Sequence, residues 1–176
     1  DVYKRQSQII GSSGVGNPGA SWQVAGIGKF DSSGRSGVIL QSSSSSDVWE
    51  WSLNGNQVTA SSEVGNPGAG WSVVGTGDLT GTGKSDVLLQ NADGDVWDWQ
   101  MNGSQVIASH ELGNPGAGWF VVGTGDFNGD GKDDVLLQNG NGQVWEWLMN
   151  ATQITTSESV GNPGSSWHVA GTGNFE

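Results

Sequence analysis

The sequence predicts an all-β fold built from repeated four-stranded antiparallel units, and three observations carry that prediction. Gly-Asn-Pro-Gly begins at residues 16, 65, 113 and 161, so the chain repeats at spacings of 49, 48 and 48 residues. Gly, Ser and Asn are abundant and ten Trp are present, a mixture typical of short strands joined by tight turns. Each period also divides into four strand-like pieces separated by turn residues.

Four antiparallel strands in a repeat of about 48 residues are typical of a β-propeller blade, since solenoid coils usually have shorter repeats. In the third unit the predicted strands are 119–125, 134–139, 143–149 and 153–160. The pairs Asn54-Gly55 and Asn102-Gly103 favour two-residue type I′ hairpins between the last two strands. Ala151 takes the place of Gly in the third unit, and a positive φ there would cost about 1 kcal/mol.

The connection between the first two strands of the third unit has the composition of a cation-binding loop. Asp126, Asn128, Asp130 and Asp134 put oxygen side chains at its first, third, fifth and ninth positions, and the Lys132 carbonyl is free at the seventh. Ca²⁺ takes about six to eight such oxygen ligands. The alternative is an ordinary Asp/Asn/Gly turn, which does not require three carboxylates to converge against their mutual repulsion.

The segment Gly123-Thr124-Gly125 followed by this loop and by Val135-Leu136 resembles FG-GAP repeats of the VCBS type, the blades of integrin α-subunit-like propellers. The resemblance implies a calcium-stabilised, mostly non-catalytic extracellular module for adhesion or carbohydrate binding. It also implies a ligand set, which is Asp126, Asn128, Asp130, the Lys132 carbonyl and Asp134. An EF-hand is a poorer match, because Leu137 replaces its bidentate Glu and the flanks read as strands.

The other units depart from this loop pattern. In the second unit the ligand positions hold Asp78, Thr80, Thr82, Lys84 and Asp86, which predicts a weaker calcium site. The first unit has the cationic Lys29 at the first position, which argues against a metal there. Beyond the third unit, only Asn174 and Glu176 of a further loop are present.

The repeat divides the chain into six segments. They are a tail outside the repeat (1–6), the last strand and loop of a preceding blade (7–21), a blade with a degenerate cation loop (22–70), a second blade (71–118), a third with the intact loop (119–166), and the first strand of a further blade (167–176). The extra residue of the first unit falls in Ser42–Ser46, a lengthened turn. We expect a piece of a larger propeller, or a protomer that closes the ring by self-association.

Composition excludes several classes of function. The net charge is −12 with only six Lys and Arg, which disfavours nucleic acid because phosphate binding requires cationic side chains. There is no Cys, and no apolar run approaches the roughly 20 residues of a membrane span. The sequence has no recurring Ser/His/Asp set of the kind that would suggest an enzyme. From the family resemblance we expect a secreted, extracellular protein of bacterial origin.

Each third strand carries two Trp two residues apart, so both project from one face of the strand. These pairs are Trp49/Trp51, Trp97/Trp99 and Trp145/Trp147. Packing between neighbouring blades is the first interpretation, and a platform for sugars is the second. The sequence thus favours a binding or adhesion scaffold with an unidentified protein or glycan ligand. The alternatives are a lectin-like module using interblade Trp and Asn, and an accessory region of a larger secreted hydrolase.

Overall fold

The structure is a computed structural model that describes residues 12–173. Within these residues the chain forms no helix, and its strands make three separate four-stranded antiparallel sheets, which confirms the predicted fold class. The predicted tail 1–6, most of the predicted strand before residue 16, and the loop residues Asn174 and Glu176 lie outside the described residues. The three sheets do not close into a ring.

We call the sheets blades 1, 2 and 3. Blade 1 consists of β1 (Trp22–Gly28), β2 (Gly37–Ser42), β3 (Val48–Asn54) and β4 (Gln57–Gly65). Blade 2 consists of β5 (Trp71–Gly77), β6 (Asp86–Asn91), β7 (Val96–Asn102) and β8 (Gln105–Gly113). Blade 3 consists of β9 (Trp119–Gly125), β10 (Asp134–Asn139), β11 (Val144–Asn150) and β12 (Gln153–Gly161). In every blade the strands pair in chain order, so each is a simple up-and-down sheet.

Three strand boundaries of blade 3 differ from the sequence prediction, one of them the end of β11, which lies at Asn150 and not at Met149. β11 begins at Val144 rather than at Gln143, because the Gln143 carbonyl accepts the Asn139 N–H at 3.0 Å and closes the turn. β12 runs one residue further, to Gly161, which pairs with Val144. The predicted first strand of a further blade is not part of a ladder in its described stretch, 167–173, since no second strand lies beside it there.

Apolar side chains from facing sheets fill the space between consecutive blades. Between blades 1 and 2 the buried residues are Phe30, Ile39, Val48, Val73, Val87, Leu89 and Met101. Between blades 2 and 3 they are Leu79, Leu88, Val96, Leu112, Val121, Val135, Leu137, Trp147 and Met149. Every blade therefore buries both faces of its sheet where a neighbour is present, and the core is a series of interblade layers.

A glutamine of the second strand connects each blade to the segment that follows the blade. Gln90 is 6% exposed; its Nε2 donates to the Trp119 carbonyl at 2.9 Å and its Oε1 accepts the Val121 N–H at 3.1 Å. Gln41 and Gln138 make the same pair of bonds to the segments that follow their blades. We call these the glutamine clamps.

A second link joins the first strands of neighbouring blades. The Thr76 hydroxyl donates to the Ile27 carbonyl at 2.6 Å, and the Thr124 hydroxyl donates to the Thr76 carbonyl at 2.7 Å. A Cβ atom added to Gly26 would lie 2.6 Å from Thr76 Cγ2. Glycine is required at this position because the two backbones approach so closely.

The two rims of the blades carry different loops, as the strand order predicts. On one rim the second cation loop meets the Asn-Gly turn, where Lys84 Nζ donates to Asn102 Oδ1 at 3.1 Å. On the other rim the Gly-Asn-Pro-Gly loops meet the turns between second and third strands. There Asn66 Nδ2 donates to Asp47 Oδ1 at 2.7 Å, and Asn114 Nδ2 donates to Asp95 Oδ1 at 2.6 Å.

Candidate metal site and interblade pockets

The third loop, which follows β9, folds on hydrogen bonds between its own acidic side chains and its backbone. Asp126 Oδ1 accepts the N–H of Gly129 at 2.7 Å and of Asp130 at 3.1 Å, and its Oδ2 accepts the N–H of Gly131 at 2.9 Å. Asn128 Oδ1 also accepts the Asp130 N–H, at 2.8 Å. The N–H of Gly131, followed by the other backbone donors, lowers the pKa of the exposed Asp126 carboxyl.

Asp134 differs from the other candidate ligands because it is completely buried at the start of β10. Its Oδ2 accepts the Phe127 N–H at 2.9 Å, and its Oδ1 accepts the Met149 N–H at 2.8 Å. Burial raises the pKa of this carboxyl, and the charges of Asp130 and Asp126 act in the same direction. Asp134 therefore ties the loop to β11.

The donor set of the third loop suits a hard cation in its chemistry. Carboxylate and amide oxygens have two lone pairs each, so Asp126, Asn128 and Asp130 keep acceptor capacity after their bonds to backbone N–H groups. Lys132 Nζ lies 3.5 Å from Asp130 Oδ2 and competes for that oxygen. Among the described residues, no three acidic or histidine side chains are placed to hold a metal together. A cation here would need amide, main-chain and water oxygens as well.

The second loop, which follows β5, has the same local structure with fewer charges. Asp78 Oδ1 accepts the Thr82 N–H at 2.9 Å, and Asp78 Oδ2 accepts the Gly83 N–H at 2.6 Å. The Thr80 hydroxyl lies 3.4 Å from Asp78 Oδ1. The structure thus brings together the predicted Asp78, Thr80 and Thr82, and Asp86, which is 2% exposed, adjoins Thr80 on the buried side of the loop.

Asp86 has an acidic neighbour, Asp98 of β7, which is 0% exposed. Asp86 Oδ1 accepts the Met101 N–H at 3.2 Å. Asp86 Oδ2 and both carboxylate oxygens of Asp98 have no hydrogen-bond partner among the described residues. Burial raises the pKa of Asp86 to about 7 and that of Asp98 to about 8, and the charge of Asp86 adds to the second shift.

One pocket recurs beside each blade, with equivalent residues around it. Its volume is about 320 Å³ at blade 1, 310 Å³ at blade 2 and 330 Å³ at blade 3. At blade 2 it is lined by Pro67, Trp71, Leu89, Trp97, Trp99 and Ser109, together with Asn66. The rings of Trp71 and Trp97 meet edge to face, with centroids 6.3 Å apart and an interplanar angle of 78°. The pairs Trp22–Trp49 and Trp119–Trp145 repeat this geometry.

Some polar groups of the blade 2 pocket are already hydrogen-bonded within the protein, and others are not. The side-chain amide of Asn66 donates to Ser45 and Asp47, and its Oδ1 accepts the Gly68 N–H at 2.8 Å. Asn66 therefore shapes the loop and has no spare donor for a ligand. In the described part of the chain, neither the indole N–H groups of the pocket Trp residues nor the Ser109 hydroxyl is a buried group without a partner, so these donors are accessible from the pocket.

Residues 78–137 match the model of the FG-GAP-like repeat. This segment of the chain is similar to an FG-GAP-like repeat. The match begins at the first residue of the second loop, includes the third loop and ends within β10. The matched segment is about a third of the chain. A comparison with curated proteins finds no match.

FG-GAP repeats are generally non-catalytic and typically belong to extracellular domains. The FG-GAP-like segment of this chain contains both candidate cation loops, the Asp86–Asp98 pair and most of the blade 2 pocket. Within residues 12–173, no helix has the length and apolar character needed to cross a membrane.

Sequence reasoning missed Asp98, although the three blades contain a signal for it. Asp98 stands between the two Trp of β7, and the same position holds Glu50 in β3 and Glu146 in β11. Side chains alternate along a strand, so this acid must face away from the tryptophans and towards the next blade. An acid repeated on a face that a neighbour covers predicts a buried charge.

Proposed function

We propose that this FG-GAP-like chain is a non-catalytic extracellular binding module of the β-propeller type and that its ligand is a carbohydrate. The observation that carries the proposal is the recurrence of one aromatic pocket at all three blades. A volume of 310–330 Å³ lies at the lower end of the range for small-molecule sites. Three equivalent pockets also give multivalent binding, which suits an adhesion role.

Two features of the tryptophans support ligand binding as well as core packing. Trp71, Trp97 and Trp99 are only partly buried although they border the interblade core. Their indole N–H groups are not among the buried atoms that lack a partner in the described residues, so each remains open to solvent or to a ligand. Apolar ring surface beside a free donor is the combination that a sugar ring with its hydroxyl groups requires.

The pocket composition favours binding over catalysis. None of the three sets of lining residues contains an Asp, Glu, His, Lys or Cys. General acid–base catalysis requires a titratable side chain within hydrogen-bond distance of the reacting group. The pockets supply aromatic surface, a serine hydroxyl and a proline instead.

A glycan array probed with the labelled chain tests the carbohydrate proposal. We expect selective binding that is lost when the pockets are filled by leucine at the three equivalent serines, Ser61, Ser109 and Ser157. The matched control places leucine at the preceding positions, Ala60, Ala108 and Thr156, which face away from the pockets. An array without binding, or binding that survives the serine substitutions, would contradict the proposal and favour a protein ligand.

We also propose that calcium stabilises the third loop. The side-chain oxygens of Asp126, Asn128 and Asp130 lie within one short loop. A bound ion would offset the negative charge of the two aspartates. A ligand that binds the folded state alone at about ten times its Kd raises stability by about 1.4 kcal/mol. We expect millimolar calcium to raise the Tm relative to chelator, and Asp130→Ala to reduce that rise, whereas Asp93→Ala on the opposite rim leaves it unchanged. A Tm insensitive to saturating calcium would refute this.

A further inference from the structure

Asp86 and Asp98 lie at the interface of blades 2 and 3, away from the third loop. We propose that these two carboxylates bind a divalent hard cation such as Ca²⁺, and that Asp98 is the ligand which completes the degenerate second loop. Nothing in the loop sequence indicates Asp98, because it comes from β7, twelve residues beyond Asp86. The site stands apart from the proposed carbohydrate pockets, which lie on the opposite face of the blade 2 sheet.

Strand register puts both carboxylates on one face of blade 2. Leu88 of β6 pairs with Asp98 of β7, and Asp86 is two residues before Leu88, so all three share a face. Leu88 packs in the core layer against Val135 and other residues of blade 3. The carboxylates therefore face the interface between the two blades.

Blade 1 demonstrates that side chains at these two positions occupy the same space. Gly37 and Glu50 stand there in place of Asp86 and Asp98. A Cβ atom on Gly37 would lie 2.6 Å from Glu50 Oε1, so the long Glu50 side chain is accommodated only because residue 37 has none. In blade 2 a shorter acid stands on each strand, and the charge of Asp86 acts on the carboxyl of Asp98.

The charges at this point have no cationic partner among the described residues. The charge of Asp78 raises the pKa of Asp86, the charge of Asp86 raises the pKa of Asp98, and no Lys or Arg lowers the pKa of either buried carboxyl. Lys84, the nearest lysine in the chain, donates to Asn102 instead. Burying ionised carboxylates without a partner is among the most unfavourable arrangements in a protein, so something must neutralise them.

A cation satisfies the orphaned atoms better than a proton does. One proton shared by the pair neutralises a single carboxyl and bonds at most two of the three unpartnered oxygens. A hard cation bound to Asp86 Oδ2 and to Asp98 uses all three. The Thr80 and Gln100 side chains adjoin Asp86 and Asp98 and lower the pKa values of the two carboxyls. Each of these side chains also carries a neutral oxygen, a ligand type that calcium accepts beside carboxylates. Two carboxylates with neutral oxygens, and not a cluster of three acids, define the site.

The other blades lack this arrangement. Glu50 of blade 1 has its own partner, since the Ser52 hydroxyl lies 3.0 Å from each of its carboxylate oxygens. In blade 3, both oxygens of Asp134 accept backbone N–H groups, and Glu146 is only half-buried. Orphaned buried carboxylate oxygens among the described residues occur only at Asp86 and Asp98.

The test compares variants in an Asp130→Ala background, so that the third loop cannot account for the result. Titration calorimetry with CaCl₂ at pH 7.5 measures stoichiometry and affinity, and the Tm is measured in calcium and in chelator. We expect the background protein to bind one calcium, and the added Asp98→Asn change to weaken that binding at least ten-fold. Glu146→Gln, at the equivalent position of blade 3, should leave it unchanged.

The Tm measured in chelator shows whether the Asp98→Asn variant is folded. Asp98→Asn removes a buried charge with little change of shape, so its Tm in chelator should equal or exceed that of the background, while calcium raises only the background. The proposal is overturned if the background binds no calcium, or if Asp98→Asn binds it equally well. Either result would mean that a proton neutralises the pair. Because the background lacks Asp130, failure of the third-loop proposal or of the carbohydrate proposal would not alter these readouts.

Discussion

The turn between β11 and β12 places Ala151 at φ = 56°, in the left-handed region that favours glycine. The equivalent residues of the other blades, Gly55 and Gly103, have φ of 63° and 64°. The backbone conformation is therefore fixed by the type I′ hairpin and not by the residue, and Ala151 tolerates steric strain that the two glycines avoid.

We expect Ala151→Gly to raise the free energy of unfolding by about 0.5–1 kcal/mol. Relief of the strain outweighs the greater freedom that glycine gives to the unfolded chain. Urea denaturation measures the change. The control Ala60→Gly, in the middle of β4, should destabilise the protein, since glycine has no advantage in an extended strand. Equal effects of the two substitutions would show that backbone strain at residue 151 is negligible.

Glu50 is 5% exposed, and burial raises its pKa above the ordinary value of 4.5 against the opposing effect of the Ser52 hydroxyl. From pH 4.5 upwards, through the raised value, the folded chain holds a proton that the unfolded chain has released. Stability contributed by this group is therefore present at low pH and is lost as the pH rises.

We expect Glu50→Gln to be less sensitive to this rise in pH than the unsubstituted protein. The Tm difference between the two should grow from pH 4 towards pH 7, with the variant the more stable at the upper end. Glu63→Gln, at an exposed position of the neighbouring strand, makes the same change of charge and serves as the control. A constant difference across this range would contradict the assignment.

At the scale of elements, the glutamine clamps hold each blade against the next in one register. In a clamp the glutamine amide makes the two hydrogen bonds that a neighbouring strand would otherwise make. For Gln90 these are bonds to the carbonyl of Trp119 and to the N–H of Val121, two residues later. Backbone groups buried at an interface must be paired, and the glutamine amide supplies one donor and one acceptor for that purpose. The repeated Gln of the second strands is thus structural.

We expect Gln90→Leu to lower the free energy of unfolding by about 2–6 kcal/mol, because the Trp119 carbonyl and the Val121 N–H would both lose their partner at about 1–3 kcal/mol each. Denaturant midpoints measure the loss. Gln105→Leu, at an exposed position of β8, is the matched control and should have an effect within about 0.5 kcal/mol. If Gln90→Leu lowers the free energy of unfolding by no more than Gln105→Leu does, water replaces the hydrogen bonds of the clamp.

At the scale of the whole molecule, the interblade layers couple the three blades. Each blade buries apolar residues against its neighbour, and clamps and threonine links cross the same interfaces. Stability in such an array depends on nearest-neighbour interfaces, so a blade with an uncovered face is less stable than one covered on both sides. Blade 2 is covered on both faces within the described residues.

We propose that copies of the chain associate through the blade faces that the three described sheets do not cover with one another. The exposed surface would then repeat the interface already present between blades 1 and 2, in a head-to-tail arrangement. Sedimentation analysis of the chain should give a concentration-dependent mass that is a multiple of one protomer. A single protomer mass at all concentrations up to the millimolar range would contradict self-association.

The sequence by itself determined the repeat, the four strands of each blade, the turn at Ala151 and the composition of both cation loops. These features depend on local pattern: alternation, turn residues and spacing act over a few positions and recur in every unit. Strand boundaries were predicted to within about a residue because the same turn chemistry fixes them in each blade.

Only the tertiary structure decided which side chains of neighbouring blades contact each other. It paired Asp98 with Asp86, connected Gln90 to the next blade, and left the tryptophans partly open around a pocket while it committed Asn66 to its loop. The physical reason is that the burial of a charge or of a ring depends on the neighbour that covers it. That neighbour lies about a full repeat away along the chain, beyond the reach of any local pattern.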